Sequence, residues 1–134
     1  MFNHVGHCVQ DIDRSQRFYE ALGFVFDRDL TVPDDPTGKL LRIDPPVGLS
    51  AVYLRSGGFV LELLHYDRPE NPAPRERAMN EPGLTHLSVT VADLPATLET
   101  LTGLGAEVLD DTHIGVAVFV RDPDGQLVEL IARH

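Results

Sequence analysis

Four side chains stand where the pattern around them gives no ordinary reason for their presence: His4, Glu62, His86 and Glu129. Glu62 interrupts the aliphatic run Val60-Leu61-Glu62-Leu63-Leu64, and Glu129 interrupts Leu127-Val128-Glu129-Leu130-Ile131. A carboxylate in such a run is costly unless it is paired, hydrogen-bonded or bound to a cation. His86-Leu87-Ser88-Val89-Thr90-Val91 alternates polar with apolar residues, the mark of a half-buried strand with His86 on its polar face. The stretch from His4 repeats this less cleanly, with Val5 and Val9 opposite His4, Gly6 and Cys8. Two imidazoles and two carboxylates make a mixed nitrogen and oxygen donor set, suited to Zn, Ni, Co, Mn or Fe.

The four residues occupy equivalent places in an internal repeat, the feature to look for before any other. His4 precedes Asp11 by the spacing at which His86 precedes Asp93. Leu22-Gly23 then matches Leu104-Gly105, and Gly58 through Leu64 matches Gly125 through Ile131. The second copy is the shorter one between its Gly and its Glu. Landmarks in the same order in both halves imply a duplicated module and two half-sites that face each other.

Each copy reads as βαβββ. Asp11 and Asp93 suit helix N-caps, and Pro95 is tolerated in a first turn. Ser15, Phe18, Tyr19 and Leu22 fall on one helical face, as do Leu94, Leu98, Leu101 and Leu104. Gly23 and Gly105 supply the left-handed residue after each helix. Further strands are expected at Val25–Leu30, Leu49–Arg55 and Phe59–His65, and at Glu107–Leu109, Val116–Arg121 and Gln126–Ala132. Asp122-Pro123-Asp124-Gly125 is a hairpin turn. The fold class is α+β, with module one at 1–66, a connection at 67–83 and module two at 84–134. The connection is proline-rich, with a short helical turn expected at Arg75–Met79. Thr31–Pro46, also proline-rich, reads as an irregular loop over a site. The aliphatic strand residues face the helices, so His4 and His86 point to the opposite, concave face. His7 faces the helix side and is a core or edge histidine, while His65, His113 and His134 are solvated. Cys8, on the face of His4, reads as a small apolar filler, with lining of the pocket as the alternative. Asp34-Asp35 and Asp110-Asp111 are solvated turn residues.

Composition narrows the partners. The chain has 134 residues and a formal net charge of −10, with no basic stripe. That argues against nucleic acid, whose phosphates need a basic footprint. No apolar run approaches the roughly 20 residues of a membrane span. The N-terminus shows no signal-peptide pattern. The one cysteine, Cys8, fits a reducing cytoplasm.

Taken together, these residues resemble the vicinal oxygen chelate superfamily, which includes glyoxalase I, methylmalonyl-CoA epimerase, extradiol dioxygenases, and fosfomycin and bleomycin resistance proteins. The resemblance is carried by His4-Val5-Gly6 through Asp11, Arg17-Phe18-Tyr19-Glu20 with Leu22-Gly23-Phe24, Leu61-Glu62-Leu63, Thr85-His86-Leu87, and Asp122-Pro123-Asp124-Gly125 through Val128-Glu129-Leu130. It implies two modules forming an open cup around one divalent ion held by His4, Glu62, His86 and Glu129. It also implies a homodimer acting on a small-molecule substrate. By the same resemblance, Glu129 is the catalytic base, with Glu62 sharing or inheriting the role. A ring-cleaving dioxygenase would carry a second His where Glu62 stands. The reaction expected is therefore proton transfer in an isomerase or lyase of glyoxalase I or epimerase type. The alternatives are a small-molecule-binding or antibiotic-resistance protein of the same fold, or a ring-cleaving dioxygenase.

Overall fold

The computed structural model describes residues 1–134 and resolves them into two compact units. One comprises Met1–Gln16 and Gly23–Pro72; the other comprises Arg17–Leu22 and Ala73–His134. Each contains an open four-stranded mixed sheet, and the fold class is α+β.

In the first unit β1 (Val5–Cys8) pairs in parallel with β4 (Phe59–Tyr66), which pairs antiparallel with β3 (Leu49–Ser56), and β3 with β2 (Val25–Leu30). β3 and β4 meet across a two-residue loop, where Gly57 takes a φ of +57° that a side chain would disfavour. Alternation then sorts the side chains. Leu54, Leu61 and Leu63 are fully buried on one face. Ala51, Tyr53 and Val60, with Leu64 packed beside them, form an apolar cluster on the other, and Glu62 lies among them.

The second unit repeats the plan with β5 (His86–Val91), β8 (Leu127–Ala132), β7 (Ala117–Arg121) and β6 (Glu107–Leu109), in that spatial order. Helix α3 (Leu94–Gly103) packs against β6 and β8. Its N-terminus is capped as expected, the Asp93 carboxylate accepting from the Ala96 amide at 2.9 Å. Val118, Val120, Val128 and Leu130 are buried on one face of the sheet. Helix α1 (Ile12–Ala21) is held at its start by Asp11, which accepts from the Arg14 amide at 3.0 Å. Its expected inner face, Ser15, Phe18, Tyr19 and Leu22, is buried throughout.

Several local expectations fail. Thr31–Pro46 is not an irregular loop: it contains helix α2 (Asp34–Leu41). Pro36 lies in the first turn, where its missing N–H costs nothing, and Asp34 and Asp35 complement the helix dipole there. Arg42 closes the helix in the left-handed region, at φ +57°. Asp34 also accepts from the Val47 amide at 3.3 Å, so it is more than a solvated turn residue. Asp110 and Asp111, by contrast, are exposed turn residues as expected, and begin a 3-10 turn, Asp110–Thr112. Arg75–Met79 forms no helical turn. There the guanidinium of Arg77 donates to the carbonyls of Pro82 and Leu84, tying the segment down without helical bonds. Cys8 is exposed and fills no core. His65 is half-buried, its Nδ1 lying 3.1 Å from the Val9 carbonyl oxygen.

Within the second unit the buried Asp122 anchors the turn before β8. One carboxylate oxygen accepts from the amides of Asp124 and Gln126, at 2.9 and 2.8 Å. The other accepts from the hydroxyl of Tyr19 at 2.7 Å. Burial pushes the Tyr19 hydroxyl well above its usual range, and the charges of Asp122 and Asp124 push the same way. A raised folded-state value means that the folded protein holds this proton more tightly than the unfolded chain does. The resulting stability is complete below about pH 10 and is lost as pH rises further through the folded value. Urea melts at rising pH are expected to show this alkaline loss in wild type, and a weaker one in Tyr19→Phe.

Candidate metal and proton-transfer site

The register of the sheets places the candidate residues. In the first unit Gly6 of β1 lies opposite Glu62 of β4, with His4 two residues before Gly6 on the same face. In the second, Ser88 of β5 lies opposite Glu129 of β8, with His86 two residues before Ser88. Each histidine–glutamate pair therefore has the same strand geometry.

The first pair is in contact. His4 Nε2 lies 3.3 Å from Glu62 Oε1. The His4 side chain is 34% exposed and the Glu62 side chain 11%. His4 Nδ1 lies 2.5 Å from the amide oxygen of Asn3, a partner that sets the proton on Nδ1. That tautomer turns the Nε2 lone pair toward a carboxylate oxygen. Two electron-rich atoms at this distance call for a cation, either a proton on the ring or a metal ion. The donor chemistry fits a divalent ion: one imidazole nitrogen, one carboxylate oxygen, and a second contact that orients the ring from behind. In the second unit the residue before the histidine also contacts the ring, with Thr85 Oγ1 lying 2.8 Å from His86 Nδ1.

The environments of the two glutamates differ in a way that the repeat did not reveal. Glu62 accepts a hydrogen bond from the hydroxyl of Tyr53, which lies directly opposite it on β3. Tyr53 is buried, its ring meets His4 edge-on at 5.5 Å, and the guanidinium of Arg28 sits 4.5 Å from the ring centroid. Burial raises the Tyr53 hydroxyl above its usual range, Glu62 adds to the rise, and Arg28 opposes it. In the second unit Phe119 lies opposite Glu129 and meets His86 edge-on at 5.2 Å. Phenylalanine offers no hydroxyl. Glu129 instead accepts from Ser88 Oγ at 2.7 Å, on the other side. Gly6, at the place of Ser88, has no hydroxyl to give Glu62.

Sequence reading named the two His–Glu pairs and overlooked Tyr53, Phe119 and Ser88. The signal for Tyr53 was present. A two-residue loop at Gly57-Gly58 fixes the hairpin register, and counting outward from it pairs residue 53 with residue 62.

Comparison with known proteins gives a consistent answer. A family model described as "Glyoxalase/Bleomycin resistance protein/Dioxygenase superfamily" matches residues 1–130. A lactoylglutathione lyase of Pseudomonas putida is 32% identical, over 98% of this chain and 84% of that protein. Among solved structures, the trypanothione-dependent glyoxalase I of Leishmania major is 25% identical with a TM-score of 0.69, covering 96% of this chain and 84% of that one. A glyoxalase family protein from Bacillus cereus superposes with a TM-score of 0.82 at 20% identity, covering 98% and 92%, and bears on the fold alone.

Proposed function

The chain belongs to the Glyoxalase/Bleomycin resistance protein/Dioxygenase superfamily, and on that premise we propose that it is a divalent-metal-dependent isomerase or lyase of the glyoxalase I type, acting on a small carbonyl compound. The observation that carries this reading is the contact between His4 and Glu62, together with its repetition in strand register by His86 and Glu129. These four residues would hold the ion. The 32% identity to a lactoylglutathione lyase supports the reaction class.

When bound, the ion would polarise a carbonyl and stabilise negative charge developing on its oxygen. The protein's own part is proton movement. Glu129 takes the proton from the carbon next to the carbonyl, its carboxylate aimed by the Ser88 hydroxyl. Glu62, buried and hydrogen-bonded, holds its position. Asn3 keeps His4 in the tautomer and ring orientation that present Nε2, and Thr85 contacts the His86 ring at Nδ1. A homodimer in the cytoplasm belongs to the same reading, with neither nucleic acid nor a membrane as partner. The exposed Val25 and Phe26 on edge strand β2 are apolar surface that a second chain would cover.

The test is metal content together with proton exchange. Purified protein reconstituted with Ni, Co, Zn, Mn or Fe should retain one ion per chain after gel filtration. In heavy water it should then exchange the α-proton of 2-oxo or hemithioacetal compounds. Protein that retains the ion and exchanges no such proton, yet consumes oxygen with a catechol, would be a dioxygenase instead.

A further inference from the structure

We infer that Tyr53 is a positioning residue that makes the two glutamates unequal, fixing Glu62 as a static donor and leaving Glu129 free to move. The inference rests on the metal-dependent reading above and deepens it. The two units present the same strands, the same register and an aromatic ring at the same place, so each serves as a control for the other. Tyr53 and Phe119 lie opposite Glu62 and Glu129 respectively, and both rings meet the neighbouring histidine edge-on. They differ by one oxygen atom. In the first unit that oxygen belongs to a buried ring, held beneath the Arg28 guanidinium, and it donates to Glu62. In the second, Glu129 is bonded by Ser88, whose hydroxyl turns about a single bond and is exposed. A carboxylate bonded to a rigid buried ring cannot swing without leaving that hydroxyl unsatisfied. A carboxylate bonded to an exposed serine can swing, because water replaces the lost partner.

Position in the sheet supports the same division. Glu62 lies within the cluster of Ala51, Tyr53, Val60 and Leu64 and is 8% exposed, whereas Glu129 is half-buried. A group that must release its place and take up a proton needs room, and a donor that must hold an ion needs none.

The experiment compares wild type with Tyr53→Phe and Phe119→Tyr, using Co(II) as the probe. Affinity is read by competition with a chromophoric chelator, and the visible absorption band of bound Co(II) is recorded alongside. Tyr53→Phe keeps the ring under Arg28 and beside His4. It should weaken Co(II) binding by about 10- to 100-fold, the usual effect of removing a group that orients a ligand, and should shift the band. Its thermal melting without metal should fall by no more than the several degrees that one hydrogen bond to a buried carboxylate is worth. Phe119→Tyr gives Glu129 the same anchor. It should retain Co(II) and lower kcat for α-proton exchange with KM unchanged. Tyr53→Phe that binds Co(II) as wild type does, with an unshifted band, overturns the inference while leaving the metal-dependent reading in place. Wild-type protein that binds no Co(II) overturns both. If Tyr53→Phe melts early, Phe119→Tyr decides alone, and undiminished kcat there refutes the division of roles.

Discussion

Glu129→Gln is expected to keep the metal and lose turnover, and His86→Ala to lose the metal. The two substitutions remove different things. Glutamine preserves the shape of the side chain and one oxygen, and it can still accept from Ser88 Oγ, now 2.7 Å from the carboxylate. It cannot take a proton at neutral pH, and loss of a general base costs about 10²–10⁴-fold in rate. His86→Ala deletes one of the proposed donors outright, along with its ring contact to Thr85. Metal content after dialysis, measured beside solvent deuterium exchange at the α-carbon, separates the two. Glu129→Gln with full metal and full exchange would pass the role of base to Glu62. Retention of wild-type metal affinity by His86→Ala would remove His86 from the donor set.

The second large effect concerns stability. Asp122→Ala should destabilise the protein by about 3 kcal/mol, since hydrogen bonds to a charged group are worth about 1.5–3 kcal/mol each and a stranded buried donor adds its own penalty. Asp122 is 3% exposed, and its donors include two backbone amides and the Tyr19 hydroxyl. Tyr19 is wholly buried, so water cannot take over the lost bond. A chain of this length loses about 3–4 °C of Tm per kcal/mol, so a fall of roughly 10 °C is expected. Tyr19→Phe removes one donor and leaves both amide bonds to Asp122 in place, and should cost less. A calorimetric Tm for Asp122→Ala within two or three degrees of wild type would show that the turn stands without its carboxylate.

The sequence was most readable where one physical cause acts alone. Alternation of side chains located β5 to the residue, because a half-buried strand imposes a period of two on whatever sequence forms it. The capping aspartates and positive-φ glycines at 23 and 105 marked both ends of α1 and α3 for the same reason. Reading failed where two causes compete. Pro33 and Pro36 argue for a loop, while the acidic first turn argues for a helix, and the outcome turns on Pro36 falling early enough to be harmless. Arg77 was unreadable for another reason: its hydrogen bonds to Pro82 and Leu84 depend on the path of the chain and not on any local period. The candidate site was legible through its charged members, which an apolar run makes conspicuous. Tyr53 was hidden because a tyrosine in a strand needs no explanation until its partner across the sheet is known.

The exchange of a hydroxyl between Tyr53 and Ser88 bears on how a duplicated protein differs from a pair of identical ones. Two copies of a single half-length chain, associating by symmetry, must give both glutamates the same neighbours: two tyrosines or two phenylalanines, two serines or two glycines. Every mutation would strike both halves at once, and a change that steadied one carboxylate would steady the other. Joined in one polypeptide, the halves mutate independently. One can accumulate rigidity and the other freedom while both retain the histidine, the glutamate and the register between them. The differences at 6 and 88 and at 53 and 119 are of the kind that such independence allows. In descent from a symmetric ancestor, such paired positions are where specialisation of the halves would leave its earliest traces.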